Sequence, residues 1–294
     1  MEKYQSIFLI ITFICYLAAS ICYGWQTLFT RKIRNSLTTA AVGEGYGWTN
    51  GNNDLHLGSY LTRIGFLANT ASLVIRYLHT GHPPLGNMYE FLLFFIWGIV
   101  LIYIIVEYKY KLQNIGIFAL PMVFILTAWL ILMDSSPKEL MPALRSKWLY
   151  FHVFTAVVSY GAFAVSFIIG LVYLLKDNYL KKGKSSQLLD SLPEINFLEE
   201  LTYKLIVVGM PFLTLVIITG AIWAEMSWGT YWSWDPKETW SLITWFIYAG
   251  YLHTRLIKNW KGKKSIILVV IGFLAVLFTF AGVNILLPGL HSYA

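Results

Sequence analysis

Residues 223–245 read WAEMSWGTYWSWDPKETWSLITW, and long apolar segments flank this Trp-rich segment on both sides. Six of the chain's twelve tryptophans lie within it, around the charged run DPKE. Tryptophan is amphipathic and collects where hydrocarbon meets water, which accounts for one or two such rings. Six rings in one segment are more than an interfacial position explains. We therefore predict that the segment joins two membrane-spanning helices and forms a platform for a large flat ligand.

The composition agrees with a membrane protein, because 57% of the 294 residues are hydrophobic and 13% are charged. Runs of about 20 apolar residues recur, which is the length that a helix needs to cross a bilayer. We predict an all-α polytopic integral membrane protein. The net charge of +7 comes from short basic clusters between apolar runs, so it indicates orientation rather than nucleic-acid binding.

We predict about eight transmembrane helices. They lie at about residues 6–29, 59–78, 88–108, 115–133, 148–175, 204–224, 239–257 and 265–287. The second span is the weakest, because Arg63, Asn69 and Arg76 interrupt it. No A-x-A cleavage site follows the first apolar run, so we interpret it as a retained span. The chain divides into residues 1–58, one helix and a polar loop, and residues 59–294, which hold the other spans.

Basic residues follow the first, third, fifth and seventh spans. They are Arg31, Lys32, Arg34, Lys109, Lys111, Lys176, Lys181, Lys182, Lys184, Arg255, Lys258, Lys261, Lys263 and Lys264. The positive-inside rule places these four loops in the cytoplasm. Both termini and the loop within the Trp-rich segment are then extracytoplasmic. Residues 185–203 carry leucines among polar residues, which predicts either an amphipathic helix on the cytoplasmic membrane surface or a simple linker.

The two cysteines, Cys15 and Cys22, lie seven residues apart in the first span. Neither a C-x-x-C redox pair nor a C-x-x-C-H haem attachment site is present. We interpret both as small core residues. The pattern excludes a thiol oxidoreductase and a c-type cytochrome.

Three of the six histidines are candidates for ligand binding. His152, at the outer end of span five, and His291, beyond the last span, are predicted at the membrane face of the Trp-rich segment. Two imidazoles above an aromatic floor suit a bis-His haem site, although a lone histidine often has an ordinary polar role. His253 lies near the cytoplasmic end of span seven, on one helical face with Trp245 and Ala249. It either binds a ligand or caps the helix.

Other polar residues receive weaker interpretations. His79 and His82 lie in an outer loop that could contribute to the outer site, which the sequence alone does not decide, and His56 is assigned no role. Asp235 is expected to accept backbone N–H groups just before the next helix. Lys237 either pairs with a haem propionate or is a solvated charge.

The sequence WGTYWSWDPKETWSLITW at 228–245, followed by IYAGYLHTR at 247–255, resembles the WWD signature of haem-handling proteins. The continuation DPKETW with LHTR resembles the CcsA branch, also called ResC or CcsB, whereas the CcmF and CcmC branches continue differently. GHPPLGNMYEFLLF at 81–94, FHVFTAVVSYGAF at 151–163 and GVNILLPGLHSY at 282–293 are similar to that branch too. The resemblance covers roughly residues 60–294.

This resemblance implies a subunit of the System II holocytochrome c synthase, a haem lyase that acts with a ResB-like membrane partner. It implies that His152 and His291 are axial ligands of an external haem b. His253 would ligate a haem within the membrane, with the second ligand supplied by the partner. The expected cofactor-binding residues are His152, His291, His253, Trp228, Trp232, Trp234, Asp235 and Trp240.

In the implied reaction, haem moves from the inner to the outer site, and apocytochrome c presents its C-x-x-C-H segment there. Thiol-reducing proteins would contribute indirectly, and no side chain of this chain acts covalently. Three alternatives stay open: a CcmC-like haem exporter without attachment activity, a membrane b-type electron-transfer protein, and a transporter without haem. We expect the bacterial cytoplasmic membrane, with the thylakoid membrane as the alternative.

Overall fold

The computed structural model describes residues 1–26, 56–137, 139–183 and 187–287, and these residues form an all-helical bundle. The helices are α1 Glu2–Trp25, α2 His56–Thr80, α3 Met88–Tyr110, α4 Gly116–Leu132, α5 Lys147–Lys181, α6 Gln187–Asp190, α7 Ile195–Trp228, α8 Pro236–Ile257, α9 Lys263–Leu277 and α10 Val283–Leu286. A π-helical turn, Phe278–Gly282, joins α9 to α10. Each predicted span coincides with a long helical segment to within a few residues at most ends. The largest difference is that α7 begins at Ile195 rather than near residue 204.

Six helical segments of the described chain are long and apolar enough to cross a membrane. They are Glu2–Trp25, Met88–Tyr110, Gln113–Leu132, Lys147–Lys181, Ile195–Trp228 and Lys263–Leu286. The other two long helices, α2 and α8, coincide with predicted spans two and seven but are less apolar. A polytopic helical membrane protein is therefore confirmed. The count of eight and the positions of the termini stay predictions.

Helix α5 lies at the centre of the bundle, and α7 packs along much of its length. Helices α3 and α9 pack against other sides of α5, whereas α1 packs mainly against α2 and α4. The α3–α5 contact depends on two glycines. A Cβ on Gly98 would lie 2.4 Å from Val157 Cγ1, and one on Gly161 would lie 3.0 Å from the Gly98 carbonyl oxygen. Small residues allow this close backbone approach, which is common where membrane helices pack.

The structure corrects one interpretation of residues 185–203. In their described part, the one separate helix, α6, spans only four residues, and the residues from Ile195 onward belong to the long helix α7. Leu189, Leu192, Leu198 and Leu201 are buried in the main core. The apolar positions that suggested a membrane surface are therefore packed against the protein itself.

The cysteines behave as predicted. Both are unpaired, Cys15 is buried and Cys22 is partly buried. Cys15 packs where α1 meets α2, because a Cβ on Gly65 would lie 3.1 Å from its Cβ. These contacts agree with the interpretation of both cysteines as small core residues.

Candidate functional site

A pocket of about 140 Å³ opens at the end of the bundle that the sequence places outside the membrane. Its walls come from α3, α5, α7, α8 and α10, from the π-helical turn and from the loops beside them. Lining residues with a chemical or shape-defining role include Met88, Phe91, His152, Trp232, Lys237 and Phe280. The pocket is therefore mainly aromatic and apolar, with one imidazole, one ammonium group and the Glu238 carboxylate in its wall.

His152 is held in a defined orientation against α7. Its Nδ1 lies 2.9 Å from the Val216 carbonyl oxygen, and its ring stacks on Trp223 with centroids 6.0 Å apart. The absence of a side chain at Gly220 makes room, since a Cβ there would lie 2.9 Å from His152 Nδ1 and Cε1. A carbonyl can only accept, so Nδ1 carries the proton in this contact. Nε2 of the neutral ring is then the nitrogen able to ligate a metal.

A single imidazole suits a metal that brings most of its own ligands. Across the described ranges, no three His, Cys, Asp or Glu side chains come together as a metal-ion site. Haem iron already has four porphyrin nitrogens and takes only axial ligands from protein. The donor set of the described pocket therefore fits haem better than a bare metal ion.

The turn of the Trp-rich segment is fixed by a capping box at the start of α8. The Asp235 side chain accepts from Lys237 N at 2.9 Å, while Glu238 Oε2 accepts from Ser233 N at 2.8 Å and Asp235 N at 3.2 Å. Pro236 occupies the first turn of the helix. The predicted capping role of Asp235 is confirmed.

The six tryptophans of the segment have different surroundings rather than one shared platform. Trp232 lines the pocket with His152, and the more exposed Trp234 meets Trp232 edge to face at 5.7 Å. Trp228 packs edge to face on buried Trp223, 5.0 Å away. Trp240 packs on Phe278 at 4.3 Å. Trp223 and Trp232 line the pocket with His152. Of the four tryptophans expected to bind the cofactor, Trp232 is the one in the pocket lining, whereas Trp228, Trp234 and Trp240 flank it or support its walls.

Trp245 lies further along α8, where its indole Nε1 donates to Thr214 Oγ1 at 3.0 Å. This hydrogen bond ties α8 to α7 beyond the pocket. The Trp-rich segment thus contributes both to a pocket wall and to the packing of two helices.

Lys237 is a pocket residue and not a solvated surface charge. Its Nζ donates to Asn284 Oδ1 at 2.9 Å, which connects the first turn of α8 to α10. The residue lies before the predicted span at 239–257. Burial lowers the pKa of the Lys237 ammonium to about 8, although nearby Asp235 acts in the opposite direction. The ammonium is therefore costly to keep charged there unless an anion accompanies it.

Sequence reasoning missed a buried ion pair that shapes one pocket wall. Arg76 Nε lies 2.8 Å from Glu90 Oε1, and both side chains are about 1% exposed. Arg76 Nη1 also donates to the Ser135 carbonyl oxygen at 2.6 Å, and Glu90 Oε2 accepts from Gly86 N at 2.7 Å. The pair thus clamps the segment that supplies Leu85 and Met88 to the pocket. The sequence did contain one indication of this ion pair, since Arg76 and Glu90 carry opposite charges on either side of the short loop between α2 and α3.

His253 has a different environment, on the exposed surface of α8. It is 16 residues from Lys237, or roughly 24 Å along the helix at 1.5 Å per residue. Near it, the partly buried Arg255 pairs with the buried Glu199 and lies over the Tyr203 ring, 4.9 Å from the centroid. The structure therefore separates His152 and His253 towards opposite ends of the bundle.

The remaining histidines do not extend the pocket that the structure describes. His291 lies outside the described residues; the description ends at Leu287, three residues beyond the pocket-lining Asn284. His82 Nδ1 lies 3.0 Å from the Pro83 carbonyl oxygen, and neither His79 nor His82 lines the pocket.

Comparisons with known proteins agree on one family. A family model described as cytochrome C assembly protein matches residues 85–291. The cytochrome c biogenesis protein CcsA of Pyropia yezoensis is 38% identical over 81% of this chain and 86% of its own length. Those of Guillardia theta (36%; 96% and 94% covered) and Gloeobacter violaceus (34%; 81% and 86% covered) are similar to it as well.

Among solved structures, the cytochrome c haem lyase CcmF shares the fold with a TM-score of 0.66 and 16% sequence identity. The match covers 94% of this chain but 46% of that chain, so this chain spans less than half of the CcmF chain's length. At this identity the likeness is one of fold alone.

Proposed function

Since the chain belongs to the CcsA family of cytochrome c assembly proteins, we propose that it is the haem-handling subunit of a holocytochrome c synthase. It binds haem b as a substrate, passes it across the membrane and presents it at the outer face to apocytochrome c. A ResB-like membrane subunit completes the enzyme, and thiol-reducing proteins act indirectly by keeping the apocytochrome thiols reduced.

One observation supports this proposal above the others: His152 stands in an aromatic pocket with Nδ1 committed to the Val216 carbonyl oxygen. Such a contact fixes the tautomer and the orientation of a metal-binding imidazole. In the proposed outer site, His152 binds one face of the haem iron and His291 binds the other.

The pocket walls would hold the edge of the macrocycle. Trp232 and Phe280 offer apolar surface, and Lys237 offers an ammonium group to a propionate. The pocket volume of about 140 Å³ is smaller than the roughly 300–1,000 Å³ of common small-molecule sites. The rest of the ring would therefore extend towards the exposed Trp234, while Trp228, Asp235 and Trp240 hold the segment in shape.

The chemistry at the outer site needs positioning rather than a nucleophile from this chain. Haem supplies two vinyl groups, and each cysteine thiol of C-x-x-C-H adds its sulfur to one vinyl carbon and its hydrogen to the other. All atoms of the thiol and the vinyl group are kept in the thioether product, so no oxidant is required. His152, Trp232 and Lys237 bind and orient the ring, and the histidine of the apocytochrome replaces one axial ligand when the product leaves.

His253 is proposed as one ligand of an inner haem. Its exposure on α8 suits an interface ligand, with the second ligand supplied by the ResB-like subunit. Residues 59–294 would form the assembly domain, and the membrane would be the bacterial cytoplasmic membrane, with the thylakoid as the alternative.

Co-expression of the full chain with its partner and an apocytochrome tests the proposal. We expect a Soret band in the purified wild-type complex and haem-stained cytochrome c in the same cells. Haem that reaches the outer face without thioether formation would support the CcmC-like exporter instead. A wild-type complex without a Soret band, under conditions that retain bound cofactor, would reject every haem-based function, including a b-type cytochrome.

A further inference from the structure

Helix α2 carries a polar face of which only Arg76 takes part in shaping the outer pocket. Ser59, Thr62, Asn69, Ser72 and Arg76 follow each other at spacings of 3, 7, 3 and 4 residues, which places them along one side of the helix. Each is at most 3% exposed. This polar face is therefore buried within the protein, against α1 and α3, and does not face lipid.

At the predicted cytoplasmic end, the polar face meets a buried carboxyl group. Glu107 Oε1 accepts hydrogen bonds from Tyr23 Oη and Ser59 Oγ, both at 2.6 Å. Glu107 Oε2 is buried and has no hydrogen-bond partner within the described residues. The buried Tyr103 hydroxyl lies beside Glu107 and Tyr23 and adds a further polar group to this cluster.

The middle of the polar face continues this pattern. Asn69 is fully buried, and neither its Nδ2 nor its Oδ1 has a hydrogen-bond partner in the part of the chain that is described. The same holds for Ser72 Oγ, and the hydroxyl of Tyr16 lies beside the Asn69 side chain and interacts with it. Thr12 Oγ1 reaches towards the Gly65 carbonyl oxygen at 3.5 Å, so α1 adds polar groups between Thr62 and Asn69.

Burying these polar groups without hydrogen-bond partners would be energetically unfavourable. A buried donor or acceptor without a partner costs about 1–3 kcal/mol, and bilayer hydrocarbon has no water to satisfy it. Buried water typically makes about three hydrogen bonds to such groups. The concentration of unsatisfied oxygens and nitrogens in one helix interface thus indicates that water belongs to it.

We propose that the interface of α1, α2 and α3 binds a chain of water molecules that conducts protons between Glu107 and the Arg76–Glu90 pair. From Ser59 to Arg76 the polar face extends roughly 25 Å at 1.5 Å per residue, close to the bilayer hydrocarbon thickness of about 30 Å. Carboxyl groups within membrane helices commonly mark proton relays.

Each transfer along this path breaks one O–H bond and forms another, so no oxidant or co-reactant is consumed. Glu107 exchanges protons at the cytoplasmic side, and Glu90 exchanges them at the outer side. Because Arg76 and Glu90 are tightly paired and about 1% exposed, they limit the rate at the outer end. The path shares the Arg76–Glu90 pair with a wall of the outer pocket, whereas α1 and α2 precede the segment matched by the family model.

Proton flux into liposomes tests this path. The full-length chain is reconstituted with a trapped pH-sensitive dye, and a potassium gradient with valinomycin drives proton entry. We expect faster acidification than in protein-free liposomes, a several-fold decrease in Glu107→Gln and Asn69→Leu, and no change in Glu200→Gln, which removes an exposed carboxyl group of α7. Wild-type flux equal to that of protein-free liposomes, or Asn69→Leu flux equal to wild type, would overturn the proposal.

A second measurement does not depend on how well those variants fold. In a chain with Cys15→Ala and Cys22→Ala, Ser72→Cys places a thiol on the polar face, and Leu67→Cys places one on the exposed side of the same helix. Methanethiosulfonates react with thiolates, which require water. We expect a small hydrophilic reagent to modify Ser72→Cys several-fold faster than Leu67→Cys. Equal or slower modification of Ser72→Cys would refute the hydrated interface.

Discussion

His152 and His253 are both candidate haem ligands, but their surroundings are opposite. His152 is partly buried, stacks on Trp223 and is oriented by the Val216 carbonyl oxygen. His253 is exposed on α8. The difference agrees with the proposal that this chain orients its own ligand at the outer site, whereas His253 is one ligand of an inner site completed by a partner subunit. The contrast can be tested by changing the ligands, their supports and the charges around them.

The largest effect is expected from the ligands. His152→Ala should abolish cytochrome c assembly, and added imidazole should restore part of it because the pocket walls remain. His253→Ala should lower the total haem content, since the inner site comes first. Haem staining and Soret absorbance measure both, with His82→Ala, outside the pocket, as the control. Normal assembly in His152→Ala would exclude His152 as a ligand of the outer site. Unchanged haem content in His253→Ala would contradict the proposal that haem binds the inner site before the outer one.

The second test changes the support of His152 without touching the imidazole. In Gly220→Ala, the new methyl group would lie 2.9 Å from the ring, so the ring must shift away from the Val216 carbonyl oxygen. Loss of such an orienting contact typically weakens metal binding about 10–100-fold. Haem titration of the outer site should show a decrease of that order. Gly250→Ala is the matched control, because nothing lies within 4 Å of its added Cβ, and equal affinities in the two variants would argue against an oriented imidazole.

The third test compares the two buried ion pairs. Glu90→Gln and Glu199→Gln each leave an arginine without its carboxylate, and breaking a buried pair costs about 3–5 kcal/mol. Both variants should therefore unfold at lower temperature. Only Glu90→Gln should also weaken haem binding at the outer site, because Glu90 holds the segment that lines the pocket. A similar loss of haem affinity in both would show that general destabilisation is the cause.

The smallest effect concerns pH. Burial lowers the pKa of Lys237 to about 8, so in the free protein the ammonium is charged below that value and neutral above it. Affinity for a ligand carboxylate at Lys237 should therefore be highest below pH 8 and decrease several-fold as the pH rises beyond it. Lys237→Met should bind more weakly at low pH and lose this dependence. If the affinity changed with pH equally in wild type and Lys237→Met, the pH dependence would come from another titrating group.

The sequence predicted the helices well because their signal is local. Apolar runs of membrane-spanning length located the long helices, and the Asp235-Pro236 pair located the start of α8. For residues 185–203 the sequence left two interpretations, a helix on the membrane surface and a linker, because an amphipathic pattern is the same whether the leucines contact lipid or protein. Only the packed structure shows that Leu198 and Leu201 face the core.

The site was predicted in part for a similar reason. His152 and Trp232 were identified, since imidazoles and tryptophans stand out in an apolar sequence. Phe280 gave no signal, because an aromatic residue in an apolar helix is ordinary until packing places it against the pocket. The clamp formed by Arg76 and Glu90 also depends on tertiary contacts with Ser135 and Ser136.

The π-helical turn Phe278–Gly282 has a consequence for tolerance to insertions and deletions. A π turn accommodates one residue more than an α-helical turn. Deleting one residue there would rotate the following helix by about 100° relative to α9, at 3.6 residues per turn. Asn284 would then turn away from Lys237, although no side chain of the pocket had been substituted. We therefore expect related chains to differ in length at the loops between helices, and to keep the number of residues in this turn.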